Sequence, residues 1–242
     1  MYKKSRSGGE TVARNNRIYL NGTVTLRVMA SVLVLLLAVT FSGCTKEDST
    51  KDISYGATQN RASSEDLYCL EFTSYSGPYV EDGSNEEVEN ILAVLLENRS
   101  DEYLEFATVT YDVDGKTARF VVSGLPPSKR AWVLEANRMG VKADSEFEFL
   151  DCQSTFRDDA LLTTDKLEVE VDGNTLTLKN ISEDNLSNPC VYYKNLNSDG
   201  NYLGGITYMV GFETLKPKDS LKKQAGHYED NSRIVRYSYQ ME

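Results

Sequence analysis

Histidine occurs once in these 242 residues, as His227. A Ser-His-Asp or Cys-His mechanism would have to use it, and a zinc site needs several His or Cys ligands at close spacing. Gly226-His227-Tyr228 lies between the strand candidates near Leu221–Ala225 and at Ile234–Tyr239, a place that suits a structural residue better than a catalytic one. Cysteine is nearly as scarce: Cys44, Cys69, Cys152 and Cys190, with no CxxC pair. Apart from Cys44, three thiols allow at most one disulfide and leave one over. Cys69 and Cys190 stand in the apolar-flanked stretches Tyr68-Cys69-Leu70 and Pro189-Cys190-Val191, as buried small hydrophobes do. Positive charge is short as well, 26 Lys and Arg against 37 Asp and Glu, a net charge of −11. Residues 1–43 hold six of those bases and one of those acids, so the remainder carries about −16. Such a surface repels phosphate backbones and argues against nucleic acid as a partner. No calcium loop is complete either. Asp112-Val113-Asp114-Gly115 and Asn197-Ser198-Asp199-Gly200-Asn201 place Gly fourth, where an EF-hand needs it sixth. Acids are plentiful, but nothing selects a carboxylate pair for glycoside hydrolysis. The reading is of a protein that is not an enzyme and needs no cofactor.

Long apolar runs are also rare. The one present, Val28 to Phe41, is too short for a comfortable membrane span of about 20 residues but fits the apolar part of a secretory signal. Lys3, Lys4, Arg6, Arg14, Arg17 and Arg27 precede it against the single acid Glu10, which keeps the N-terminus cytoplasmic and sends the rest outward. Directly after it, Phe41-Ser42-Gly43-Cys44 resembles the lipobox of bacterial lipoproteins, with Phe where Leu is usual. That resemblance implies recognition by the signal peptidase at Phe41, Ser42 and Gly43, cleavage before Cys44, and lipid on the Cys44 thiol. Each buried methylene contributes roughly 0.8 kcal/mol, so two or three acyl chains on one residue hold firmly. The expectation is a protein lipid-anchored on the extracytoplasmic face of a bacterial membrane, with the cell surface as the alternative location.

Residues 44–65 are polar and without periodicity, which reads as a flexible tether with a reach of roughly 25 Å by random-coil scaling. Lys46-Glu47-Asp48 resembles the acidic surface-export signal of Bacteroidota lipoproteins. From Asp66 on, apolar residues alternate with period two. Leu167–Val171 and Thr175–Leu178 flank Asp172-Gly173-Asn174, and Thr108–Val113 and Thr117–Val122 flank Asp114-Gly115; both read as hairpins. Further strand candidates are Leu67–Thr73, Asn90–Leu96, Arg130–Glu135, Phe147–Cys152, Val191–Asn195, Gly205–Phe212 and Ile234–Tyr239. A short helical turn fits only at 157–166. Many short strands between turn signals argue for all-β sandwiches rather than a parallel sheet with helices.

The chain also repeats itself. Leu96-Glu97-Asn98-Arg99-Ser100 matches Leu178-Lys179-Asn180-Ile181-Ser182, and a strand tyrosine follows each Asn at the same spacing, Tyr111 and Tyr193. Leu125-Pro126-Pro127 and Leu215-Lys216-Pro217 then mark matching bends. This order implies two tandem antiparallel Ig-like sandwiches at 66–150 and 151–242. It resembles FxLYD-type domains of bacterial envelope proteins, with Val109-Thr110-Tyr111-Asp112 in the first copy and Val191-Tyr192-Tyr193-Lys194 in the second. The stretch from Tyr192 through Gly204-Gly205-Ile206-Thr207-Tyr208 to Gly226-His227-Tyr228 is similar to uncharacterised lipoproteins of gut Clostridia. The resemblance implies a small sandwich and an extracytoplasmic role, and no chemistry. Tyr202, Tyr208 and Tyr228 remain as aromatics able to contact a ligand, and Trp132 reads as the core anchor of the first copy. The functional expectation is a binding or protein-interaction module whose partner is an envelope protein or glycan. Its alternative is a glycan- or peptide-capturing lipoprotein that serves uptake or surface attachment.

Overall fold

The computed structural model describes residues 54–55, 65–158 and 165–241. Phe41, Ser42, Gly43 and Cys44 lie outside these residues, as does most of the 157–166 stretch. The described residues form strands, turns and bends, and no helix. In order, the strands are β1 (Ser54–Tyr55), β2 (Leu67–Tyr79), β3 (Glu86–Asn98), β4 (Tyr103–Val113), β5 (Lys116–Leu125), β6 (Arg130–Leu134) and β7 (Phe147–Arg157). There follow β8 (Leu167–Asp172), β9 (Thr175–Asn180), β10 (Leu186–Asn195), β11 (Tyr202–Leu203), β12 (Tyr208–Gly211), β13 (Ser220–Gln224) and β14 (Ser232–Met241). Of these, the sequence reading passes over only the two-residue strands β1 and β11. β1 lies within the stretch read as a tether and pairs antiparallel with β2 at Phe72 and Thr73.

Turn chemistry sets the register. Val113 pairs with Lys116, and the two residues between them, Asp114 and Gly115, have φ of 55° and 77°. That double positive φ matches the right-handed strand twist and selects Asp-Gly. In the second tight hairpin Asp172 pairs with Thr175, so Gly173 takes the first central position at φ 57°.

In the first strand set, β2-β3-β6 and β5-β4-β7 lie in separate sheets that close on one core. Leu67, Phe72, Val94 and Leu96 from one sheet meet Leu104, Val109, Tyr111 and Phe120 from the other. Each such side chain contributes roughly 1.5–3 kcal/mol when fully buried. Tyr111 stands edge-on to Phe72, ring centroids 4.9 Å apart. The second set repeats the connectivity strand for strand: β8-β9-β13 and β12-β10-β14 enclose Leu167, Leu178, Val191, Tyr193 and Leu215. β7 runs through the expected boundary at residues 150 and 151 and pairs along its length with β4.

The Asn-x-Ser turns show why the two sets look alike in sequence. Asn98 is fully buried, and its Nδ2 donates to the carbonyls of Glu102 and Leu125, both at 2.9 Å. Its Oδ1 accepts from the Ser100 amide and hydroxyl at 3.1 and 3.0 Å. Asn180 is buried likewise and donates to Asp184 and Leu215 carbonyls at 2.7 and 3.1 Å, accepting from Ser182 at 2.9 and 2.7 Å. Each side chain thus satisfies buried backbone groups that water cannot reach. Asn98→Ala and Asn180→Ala are each expected to cost on the order of 3 kcal/mol in denaturant unfolding. Losses below about 1 kcal/mol would show that the corners relax and satisfy themselves otherwise.

Trp132 departs from expectation. On β6, Ala131 and Val133 enter the main core, so period-two geometry sends Trp132 to the opposite face. There it packs on a separate cluster of Tyr79, Ile91, Ala93 and Leu134. The far end of the β2–β3 hairpin contributes to this cluster, with the Tyr79 hydroxyl donating to the Glu135 and Ala136 carbonyls at 3.2 and 3.1 Å.

Candidate ligand site at the junction of the two strand sets

β10 has two working faces. Val191 and Tyr193 enter the second core, whereas Tyr192 packs against the first. Lys194, on the same face as Tyr192, is fully buried. In the first set the corresponding strand β4 turns back after a two-residue loop, and Asp112 caps that turn by accepting the Gly115 amide at 2.8 Å. In the second set residues 196–207 replace the tight turn. They cross to the first set, where Tyr202 and Leu203 pair in parallel with Ala131 and Trp132 of β6.

Three groups hold this crossing segment. The Lys194 ammonium donates to the carbonyls of Ile206 at 2.6 Å and of Gly205 and Ser123, both at 3.1 Å. The Glu81 carboxylate accepts the Gly205 amide at 2.8 and 2.9 Å and the Leu134 amide at 2.7 Å. Ser123 on β5 donates its amide to the Gly205 carbonyl at 2.8 Å, and Thr207 donates its hydroxyl to the Ser123 carbonyl at 2.7 Å. Burial pushes the Glu81 carboxyl up, against the pull of those two amides and of Lys194. The same burial pulls Lys194 below the usual lysine range, and Glu81 works to hold its proton on. Glycine is required at 205 because a Cβ there would overlap the Val121 carbonyl oxygen.

The crossing segment also borders a cleft of ≈ 870 Å³, within the range of small-ligand sites. Glu97, Tyr103, Pro126, Lys129 and Arg130 line it from the first set. Leu196, Tyr202, Arg233, Ile234 and Val235 line it from the second. On β14 a bulge between the pairs Tyr192–Arg236 and Tyr193–Ile234 inserts Val235 and turns it toward the first core. Such bulges re-aim side chains at site rims. Glu97 accepts from Arg99 at 2.6 Å and Arg130 at 2.9 Å, and these bonds hold its carboxyl below the ordinary range.

No family model matches the chain. No curated protein matches it either.

The expected ligand-contact tyrosines are not gathered there. Tyr202 lines the cleft but is only 7% exposed. Burial raises its phenol, with Arg233 pulling the other way. Tyr208 and Tyr228 belong to the second core, with ring centroids 5.3 and 5.0 Å from Tyr193. His227 stacks on Tyr208 at 4.7 Å. Among the described residues no three His, Cys, Asp or Glu side chains come together in a metal-binding group. The Asp112 and Asp114 carboxylates serve turns instead, Asp114 accepting from Glu146 and Ser145. Asn197 likewise closes its own loop through the Asp199 and Asn201 amides.

Sequence reasoning missed Glu81, Lys194, Arg130 and Arg233. Lys194 had a signal: it occupies the place of Asp112, yet no tight turn follows it for a capping residue to serve. Glu81 had none, since its partners are backbone amides far along the chain.

Proposed function

We propose that this protein is a lipid-anchored, non-catalytic binding module of the bacterial cell envelope, made of two tandem sandwiches that arose by duplication. Its 1–43 leader is removed, Cys44 carries the lipid, and the following residues tether the folded part outside the membrane. The partner is a peptide or protein segment that enters the junction cleft. The observation that carries this reading is the joint itself. Lys194, Glu81 and Gly205 hold the crossing segment whose Leu196 and Tyr202 line the cleft, so a ligand meets a site already formed and little ordering cost opposes binding. Capture of a glycan is the second reading. The burial of Tyr202 and the engagement of Tyr208 and Tyr228 in the second core favour it less, because stacking on sugars needs exposed ring faces.

Anchor and partner are tested together in living cells. The native protein is expected to take up a metabolic palmitate analogue and lose its leader, whereas Cys44→Ser takes up no label. Surface crosslinking should then recover an envelope protein with the native form and not with Cys44→Ser. Equal labelling of both forms would rule out the anchor, and an empty crosslink from both would rule out a protein partner.

A further inference from the structure

The cleft has a charge opposite to that of the chain. Its lining includes Lys129, Arg130 and Arg233 and a single carboxylate, Glu97, in a protein whose net charge is −11. Glu97 is already spoken for by Arg99 and Arg130, at 2.6 and 2.9 Å. The other two cations have no carboxylate of their own. Arg233 donates through Nη1 to the backbone carbonyls of Ser232 and Asp230, at 2.7 and 3.3 Å, and Lys129 makes no ion pair among the described residues. Both are exposed. In an acidic protein each stray cation would ordinarily find an anion, and two left together at one concave place attract an anionic ligand.

The rest of the lining narrows the chemistry. Tyr103 and Tyr202 are 3% and 7% exposed, so neither presents a ring face on which a sugar could stack. Leu196 and Ile234, each half-buried, instead offer aliphatic surface in the same lining. A ligand that fits carries carboxylates alternating with aliphatic groups. Short acidic peptides have both, and polyuronates have only the first.

We infer that the cleft binds a short acidic peptide segment. Its carboxylates pair with Lys129 and Arg233, and its aliphatic side chains cover Leu196 and Ile234. Arginine accepts a carboxylate through two parallel donors, which gives direction as well as strength. This inference rests on the reading of the junction cleft as the binding site.

The test uses the full chain in detergent and a fluorescein-labelled hexapeptide of alternating Glu and Leu. A Gln/Leu hexapeptide and an unlabelled oligogalacturonate serve as comparators in fluorescence anisotropy. The Glu/Leu peptide should bind at least about tenfold tighter than the Gln/Leu peptide, and its binding should weaken with salt. The double variant Lys129→Gln/Arg233→Gln, changed only at exposed positions, should lose about tenfold in affinity with its melting temperature unchanged. If that variant melts early, Lys129→Gln alone carries the test, since its ammonium holds no structural contact. Equal binding of both hexapeptides, or an unaffected variant, would overturn the acidic preference. Competition by oligogalacturonate as strong as by unlabelled Glu/Leu peptide would overturn the peptide. Crosslinking in cells distinguishes the failures: an anchor-dependent partner with no acidic-peptide binding removes this inference alone, and no partner removes the binding module itself.

Discussion

Gly205→Ala is expected to make this protein unfold in two transitions where the wild type unfolds in one, and to lower the first by many degrees. The added Cβ has no room, because the Val121 carbonyl oxygen already occupies its place, and the obstacle is backbone rather than a side chain that could turn away. Overpacking of this kind costs about 1–3 kcal/mol where neighbours yield. Here yielding means withdrawing the crossing segment, which also gives up the Gly205 amide bonds to Glu81 and its carbonyl bonds to Ser123 and Lys194. Adding roughly 1 kcal/mol for each net hydrogen bond brings the loss to the order of 4 kcal/mol. Each strand set keeps its own core, so uncoupling rather than global collapse should follow. Scanning calorimetry of the two proteins decides it. A single transition within a degree or two of the wild type would mean that the segment finds another path across Val121.

Lys194→Met is the second large effect, about 3 kcal/mol, for a different reason. The long methionine fills most of the same volume, so packing is nearly preserved and the loss is polar. Two of the three carbonyls keep other donors: Gly205 has Ser123, and Ser123 has Thr207. Among the described residues the Ile206 carbonyl accepts from Lys194 alone, at 2.6 Å, and Glu81 loses a cation that favours its charged form. One orphaned carbonyl costs about 1–3 kcal/mol, and removing one partner of a buried charge pair about 3–5 kcal/mol at its upper end. The pH dependence identifies the groups. Lys194 titrates lower in the folded chain than in the unfolded one, whose ordinary value is 10.5. Across that window the unfolded chain holds a proton that the folded chain has released, so stability rises with pH. Glu81 titrates above its ordinary 4.5 when folded, so stability falls as pH climbs from there to its raised value. Urea unfolding should therefore show a shallow minimum between the two windows. Lys194→Met should abolish the alkaline rise and Glu81→Gln the acidic fall. A rise that survives Lys194→Met would assign it to another group.

What the sequence reveals and what it hides divide along a physical line. Strand positions were most legible where a sheet has one dry face, as the alternation of buried and half-exposed residues in Thr108–Val113 shows. The corners at Asn98 and Asn180 were legible because one side chain satisfies its own Asn-x-Ser turn and a distant carbonyl at once, so both copies keep the same residues. Trp132 was misplaced because alternation tells that neighbours differ in face but not which face is the core. β1 and β11 were missed because two-residue strands carry no periodicity; partners more than fifteen residues away decide them. The site was hidden for the same reason. Glu81, Lys194 and Gly205 lie up to 124 residues apart, and only the fold shows that they share one carbonyl-and-amide joint.

The parallel pairing of β11 with β6 also sets an order of events as the chain folds from its N-terminus. The strands β2 to β7, which make up the two main sheets around the first core, are all present once residue 157 has emerged, although Tyr202 and Val235 of that core are still to come. One edge of β6 then stands bare until residues 202 and 203 arrive. Unpaired edges of this kind template association with other chains, and contacts between sequence-distant segments form slowly. The interval between those two moments is when a nascent copy is most able to pair with its neighbour, so slowing the arrival of residues 202–207 should promote aggregation without touching the stability of the finished fold.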